Sequence, residues 1–242
     1  MTGAPTSSRE RFYKEVSIAA GSGTGFRILL DGRPIRTPAK RVLVLPRRDL
    51  AETVAQEWRR QGSKIDPLTM PLTRLVNSAL DGVEDRTEDV RASILAYGGS
   101  DLICYLAEGP SDLIERQARR WGEVHAWIKQ AFAIELELAV GVMPVRQDET
   151  MLARLDEAVG NRAPLELAAL HVVTSITGSL LLALAVLHER VSPEEAWALA
   201  HLDEDFQIEQ WGPDEEASRH RALRWLEMQA AAVVLTSSRP SR

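Results

Sequence analysis

From Leu167 to Leu187 the chain carries no formal charge. As a helix rising about 1.5 Å per residue, this run is long enough to cross roughly 30 Å of hydrocarbon. It therefore belongs either in a membrane or at the centre of a helical core. Its polar members His171, Thr174, Ser175 and Gly178 fall at i, i+3, i+4 and i+7, a narrow polar stripe beside the wholly apolar SLLLALAVL half. A membrane helix can pack on a partner through such a stripe. The sequence shows no second span, no aromatic belt and no flanking Lys/Arg cluster, since His188, Glu189 and Arg190 follow. The run thus reads as one buried central helix of a helical domain. A membrane-anchored adaptor held through 167–187 is the minor alternative.

Burying such a helix demands length and apolar content. The chain has 242 residues, 45% hydrophobic and 26% charged, which supplies both and excludes wholesale disorder or a fibrous repeat. The single cysteine, Cys104, excludes an intramolecular disulfide and a cysteine-based metal cage, and it fits a reducing compartment. The net charge of −6 is unevenly spread. Residues 1–60 hold 12 Lys+Arg against 6 Asp+Glu, and the remainder 17 against 29, which predicts two parts with different surfaces. The N-terminus MTGAPTSSRERFYKE has no signal-peptide core, and patterned sequence begins near Arg11. The expected location is the bacterial cytoplasm, or the mitochondrial matrix for a processed organellar form. The tail TSSRPSR reads as a frayed end.

Along the chain, Lys14–Ala20, Phe26–Asp31 and Arg41–Leu45 have strand composition and read as a β meander. GSGTG, Asp31-Gly32 and Arg36–Lys40 separate them. Asp-Gly supplies the positive φ of a tight hairpin, while Pro34 and Pro38 confine the next segment to an edge or a link. The period then changes. Leu50, Val54 and Trp58 step by four in a helix closed by Gly62. Residues 63–72 read as an extended connector, and Leu72, Leu75, Val76, Ala79, Leu80 and Val83 as a helical stripe. Further helices are marked by Val90, Ile94 and Tyr97, by Leu113, Ala118, Trp121, Val124, Ile128 and Phe132 after Pro110-Ser111, and by Met151, Leu152, Leu155 and Val159. Glu135–Val140 alternates like a short strand. The apolar helix starts at Pro164, Ser192-Pro193-Glu194-Glu195 is a capping box, and a last helix from about Asp214 presents Leu223, Leu226, Ala230 and Val233. The predicted class is α+β: an N-terminal domain of sheet plus helix over residues 1–83, then an all-helical domain over 84–242.

The search for catalytic chemistry is largely negative. GSGTGF at 21–26 has Phe26 where a dinucleotide loop needs glycine, and a strand follows it, so it reads as a hairpin turn. The histidines at 125, 171, 188, 201 and 220 form no zinc-protease pair, and no metal or cofactor site is readable. Ser100 and Ser179 lack a nucleophile elbow. Cys104 lies among apolar neighbours, as a buried cysteine does. The basic cluster Arg33, Arg36, Lys40, Arg41, Arg47 and Arg48 lacks interleaved aromatics, which disfavours nucleic acid. The unusual segment is DEDFQIEQWGPDEE, 203–216, with carboxylates at 203, 204, 205, 209, 214, 215 and 216 around Phe206, Ile208 and Trp211. Ile208 stands where a calcium loop starting at Asp203 needs glycine. The segment is either a solvated acidic helix end or a protein-binding surface, an aromatic anchor ringed by acids that selects a basic partner. A small hydrolase pairing Glu209 or Asp205 with His or Arg is a further alternative.

Several motifs, taken in order, resemble a known family. They are Arg11-Phe-Tyr-Lys14, LLDGRPIRTPAK (29–40), Ala55-Gln-Glu-Trp58, IDPLTMPLTRL (65–75) with Asn77 and Asp81, SDLICY (100–105), Gln117 with Trp121, GSLLLALAV (178–186) and DEDFQIEQWG (203–212). Together they look like the chaperones of the F1 complex assembly factor 2 type, which assemble the F1 head of ATP synthase by holding its alpha subunit. The resemblance covers about residues 11–230. It implies a binding protein without catalysis, cofactor or small-molecule substrate, with a β-containing domain followed by a helical one. Such a protein would cover the beta-facing surface of free alpha until the hexamer forms. It also implies an important glutamate in the Trp-Gly segment, here Glu215 or Glu216. Leu106 stands where relatives often have arginine, and Trp121-Gly-Glu replaces a common Trp-Asp-Pro. The candidate partner-binding residues are Phe206, Glu209, Trp211, Asp214, Glu215 and Glu216.

Overall fold

The computed structural model describes residues 9–237 other than 22, 24, 142, 144 and 145, in two compact units, Met1–Asp85 and Arg86–Arg242. Residues 1–8, Ser22 and Thr24 of the GSGTG turn, and 238–242 of the tail lie outside the described residues.

In the first unit, β1 (Arg9–Glu10) is followed by β2 (Val16–Ala20), β3 (Phe26–Leu30), β4 (Arg33–Pro34), β5 (Val44–Leu45), α1 (Arg48–Arg59), β6 (Lys64–Ile65) and α2 (Pro71–Ser78). β2 pairs antiparallel with all of β3, from Val16↔Leu30 to Ala20↔Phe26. The other edge of β3 is shared, with β4 pairing Leu29 and Leu30 and β5 pairing Phe26 and Arg27. The hairpin into β4 has Asp31 at φ 46° and Gly32 at φ 79°, the positive values a two-residue turn requires. The strand expected over Arg41–Leu45 shrinks to Val44–Leu45, because the Pro-bearing loop before it pairs with itself, through the isolated bridge Arg36↔Val42, and not with the sheet.

α1 buries Leu50, Ala51, Val54 and Ala55, which pack with Ile28, Leu30, Leu43 and Leu45 to form this unit's core. Trp58 continues the stripe but serves a second purpose: its carbonyl accepts from the Tyr13 hydroxyl at 2.6 Å, with the rings 5.6 Å apart. The connector after α1 is not simply extended. It forms β6, paired with β1, and then a single 3₁₀ turn, Pro67–Thr69, capped by the Asp66 carboxylate. Glu57 accepts from the amides of Leu72 and Thr73 at 2.8 Å and from the Thr73 hydroxyl at 2.6 Å, so it satisfies the open N-terminus of α2. Burial pushes its carboxyl above the ordinary value, and the Thr73 and Leu72 donors oppose that shift. Asp81 ties down the loop by accepting from the Thr37 hydroxyl at 2.6 Å and the Ala39 amide at 2.9 Å. The basic cluster is partly neutralised: Arg41 reaches Glu84 and Asp85, and Arg47 reaches Asp49.

The second unit contains α3 (Thr87–Gly98), β7 (Tyr105–Leu106), α4 (Ser111–Phe132), β8 (Ala139–Val140), α5 (Glu149–Val159), α6 (Pro164–Thr177), α7 (Leu180–Leu187), α8 (Pro193–Ala200), α9 (Leu202–Trp211) and α10 (Glu215–Ser237). It is helical apart from a short parallel pairing of β7 with β8, which reduces the expected strand 135–140 to its last two residues. The charge-free run is two helices rather than one. Gly178 adopts φ 65° and ends α6, and the Ser179 hydroxyl caps α7 by accepting from the Leu182 amide at 3.0 Å. Every residue of α7 is buried. No helix among the described residues is long and apolar enough to cross a membrane. α6 lies between α3, α7 and α10, and forms the centre of the unit. On α4 the buried stripe is Leu113, Gln117, Trp121, Val124 and Ile128; Ala118, expected inside, is exposed, and the amide of Gln117 takes the inward place.

Candidate functional site

The acidic segment folds as α9, the turn at 212–214 and the start of α10. α4 holds the end of α8 and one face of α9. Trp121 donates its indole N–H to the carbonyl of Leu199 at 3.0 Å, just before α9. Gln117, one helical turn earlier in α4, donates to the Asp203 carboxylate at 2.7 Å and accepts from the Ala107 amide at 2.8 Å. Arg116 forms a two-pronged pair with Glu209, both contacts at 2.8 Å, while its guanidinium lies 5.3 Å from the Phe206 ring centre. The Gln117 and Arg116 contacts fix the rotation of α9 and turn Phe206 inward.

α10 holds the other side. Arg221 reaches Asp205 at 2.5 Å and Glu204 at 3.8 Å, and lies 5.8 Å from the Trp197 ring centre. Trp197 in turn packs on His201 at 3.9 Å and edge-on against Trp225 at 5.2 Å. Gly212, at φ 83°, ends α9. The Asp214 carboxylate then accepts from the Ala217 amide at 2.8 Å and starts α10. Between the two helices is an open hollow of about 340 Å³, lined by Glu204, Ile208, Trp211, Asp214, Ala217 and Arg221.

Of the six candidate residues, Glu209, Trp211, Asp214, Glu215 and Glu216 are exposed on this elbow. Trp211 is 88% exposed. Phe206 is only 9% exposed under Arg116, so it supports the surface from within, in place of the outward anchor expected from its position among the acids. Glu215 pairs with Arg219 at 3.4 Å, and Glu216 makes no ion pair among the described residues. The segment contains no cation, yet three arginines from outside it engage four of its carboxylates. Sequence spacing gives no sign of Arg116 or Arg221 as partners; the combination of Gln117 with Trp121 was the visible trace of the α4 contacts.

The hydrolase reading asked for Glu209 or Asp205 beside an arginine, and both have one. The consequence is the opposite of what acid catalysis needs. The Arg116 guanidinium holds the Glu209 carboxyl below its ordinary value, whereas a general acid needs a raised one. Burial pushes the His201 imidazole below its ordinary value, and its Nδ1 lies 2.8 Å from the Trp197 carbonyl. Among the described residues, no group of three or more His, Cys, Asp or Glu side chains is arranged to hold a metal. What the elbow offers is an exposed indole between carboxylates.

The family model for the ATP12 chaperone protein matches residues 10–129. A solved structure from Agrobacterium tumefaciens, the Atu1473 protein, a candidate chaperone, is 45% identical, with a TM-score of 0.91 over 95% of this chain and 86% of that one. The crystal structure of Atp12 from Paracoccus denitrificans is 39% identical, with a TM-score of 0.88 over 96% of this chain and 99% of that one. The chain belongs to the ATP12 chaperone family. The mitochondrial protein atp12 of Schizosaccharomyces pombe is 24% identical over 88% of this chain and 77% of its own length. The family model and the Agrobacterium relative are both named as chaperones. As an ATP12-family chaperone, the chain belongs with the proteins of F1-ATPase assembly.

Proposed function

We propose that this ATP12-family chaperone binds the free alpha subunit of F1 and shields its beta-facing surface until the hexamer forms. The observation that supports this most is the α9–α10 elbow, where Trp211 is 88% exposed among Glu209, Asp214, Glu215 and Glu216. An unassembled subunit exposes an interface of apolar and charged groups that aggregates unless covered. A desolvated tryptophan supplies affinity, and the solvent-facing acids around it add encounter rate and selectivity for a basic surface. Glu216 is the carboxylate of the elbow free to meet a client cation, and Glu215 reaches one by exchanging Arg219. The reading places the chaperone in the bacterial cytoplasm, or in the mitochondrial matrix for an organellar form, where F1 is assembled.

Co-expression with cognate alpha subunit tests the proposal. The chain should keep alpha soluble and co-elute with it. Glu216→Lys should reduce the co-eluting alpha several-fold, because a rim charge reversal creates repulsion, while the melting temperature stays within about 2 °C since Glu216 is exposed. Alpha that remains insoluble beside the wild-type chain overturns the proposal.

A further inference from the structure

We propose that the outward face of the N-terminal half of α10 is a docking surface for an amphipathic helix of the client, one whose apolar stripe is flanked by lysine or arginine. This extends the surface beyond 203–216 and rests on the chaperone reading above. The starting observation is an inversion. Of the stripe Leu223, Leu226, Ala230 and Val233, which has the spacing of a buried face, Ala230 is buried at 7%, yet Leu223, Leu226 and Val233 are 42%, 39% and 36% exposed.

The side of α10 turned toward the molecule is instead polar and aromatic. Arg221 reaches Asp205, Arg224 donates to the Ile176 carbonyl at 2.7 Å, Trp225 packs on Trp197, and Met228 is fully buried. At about 100° per residue these four fall on one face, and Leu223 and Leu226 fall on the opposite one. Farther along, the helix enters the core, with Ala231, Ala232, Val234 and Leu235 buried. The first half therefore needs no apolar outer face to hold it in place. Leucines that exposed cost solubility and contribute little to the core, which marks the face as one kept for a partner.

Charge decides which partner. The cations around the elbow are already committed within the chain: Arg116 to Glu209, Arg219 to Glu215, Arg221 to Asp205 and Arg224 to a carbonyl. Glu216 is uncommitted, and Asp214 is exposed with backbone partners only. The surface that adjoins the leucines at the start of α10 is thus net acidic. A client helix laid along α10 meets leucine with its apolar stripe and the carboxylates with its basic flank, a pairing of apolar affinity with electrostatic selection.

The test uses the full chain co-expressed with cognate alpha subunit. Leu223→Glu/Leu226→Glu should reduce co-eluting alpha at least tenfold, with the melting temperature of the free chaperone unchanged within a few degrees. The milder Leu226→Gln should lose about threefold and guards against a folding defect in the double variant. Gln229→Glu, on an exposed neighbouring position, should bind like wild type. Equal capture by the double variant overturns this inference and leaves the function standing. A wild-type dimer that the double substitution converts to monomer, with alpha capture intact, also overturns it, by assigning the face to a second copy of the chain. Failure of the wild-type chain to capture alpha overturns both readings.

Discussion

Asp101 has no solvent exposure, and its carboxylate accepts from the amides of Leu181 at 3.0 Å and Ile103 at 3.3 Å, joining the turn before β7 to the start of α7. Burial pushes its pKa from 3.8 up to about 6, against the lowering effect of Ser179 and the backbone donors. Between those values the folded chain holds a proton that the unfolded chain has released. This group's contribution to stability is therefore largest at low pH and falls as pH rises toward 6. The shift corresponds to roughly 3 kcal/mol at most. In denaturant titrations, the stability of wild type minus that of Asp101→Asn should decline between pH 4 and pH 7 by about 1–3 kcal/mol. A difference that is flat or rises with pH contradicts the assignment. Next to it, burial pushes the Cys104 thiol up to about 12, so it stays protonated and inert, as its apolar neighbours in the sequence suggested. Features set by adjacent residues were legible at this scale: Asp31-Gly32 makes its hairpin, and the Ser192 hydroxyl accepts from the Glu195 amide. The pairing of Arg116 with Glu209 was not, because it joins residues far apart in the chain and depends on how two helices meet.

Among the elements, α4 is the strut on which the acidic surface is mounted. Gln117 connects the segment after β7 to Asp203 of α9, and it is buried. Gln117→Ala removes both bonds and leaves the Ala107 amide without its partner, so the chain should lose about 1–3 kcal/mol of unfolding free energy. Urea titration should show this as a lower midpoint with an unchanged slope; an unchanged midpoint would mean that α9 is held without it. The helix count is where sequence pattern misleads. Leu167–Leu187 is apolar on almost every side, so it has no phase whose interruption could reveal the break, and Gly178 resembles any small residue of a stripe until its φ of 65° is seen. α10 misleads in the opposite sense. Periodicity identifies an apolar face at Leu223, Leu226, Ala230 and Val233, of which only Ala230 is buried, and it carries no information about what covers the rest.

At the level of the whole molecule, the α+β architecture was legible because the period of the apolar pattern changes from two to nearly four along the chain, and each half contains an apolar core of its own. The candidate surface was legible only as a composition, acids with Trp211, and its geometry came from arginines elsewhere in the chain. Many of the family motifs have structural duties: Glu57 caps α2, Asp81 ties the Thr37 loop, and Asp101 joins the turn before β7 to α7. This explains how kinship remains readable in a chaperone. The central claim is that the chain holds alpha until beta replaces it. The direct measurement is size-exclusion chromatography of the purified chaperone–alpha complex before and after addition of F1 beta subunit. The account predicts that the chaperone leaves as a free species while alpha and beta elute together. A stable species containing all three chains, or alpha that stays with the chaperone in excess beta, would contradict it.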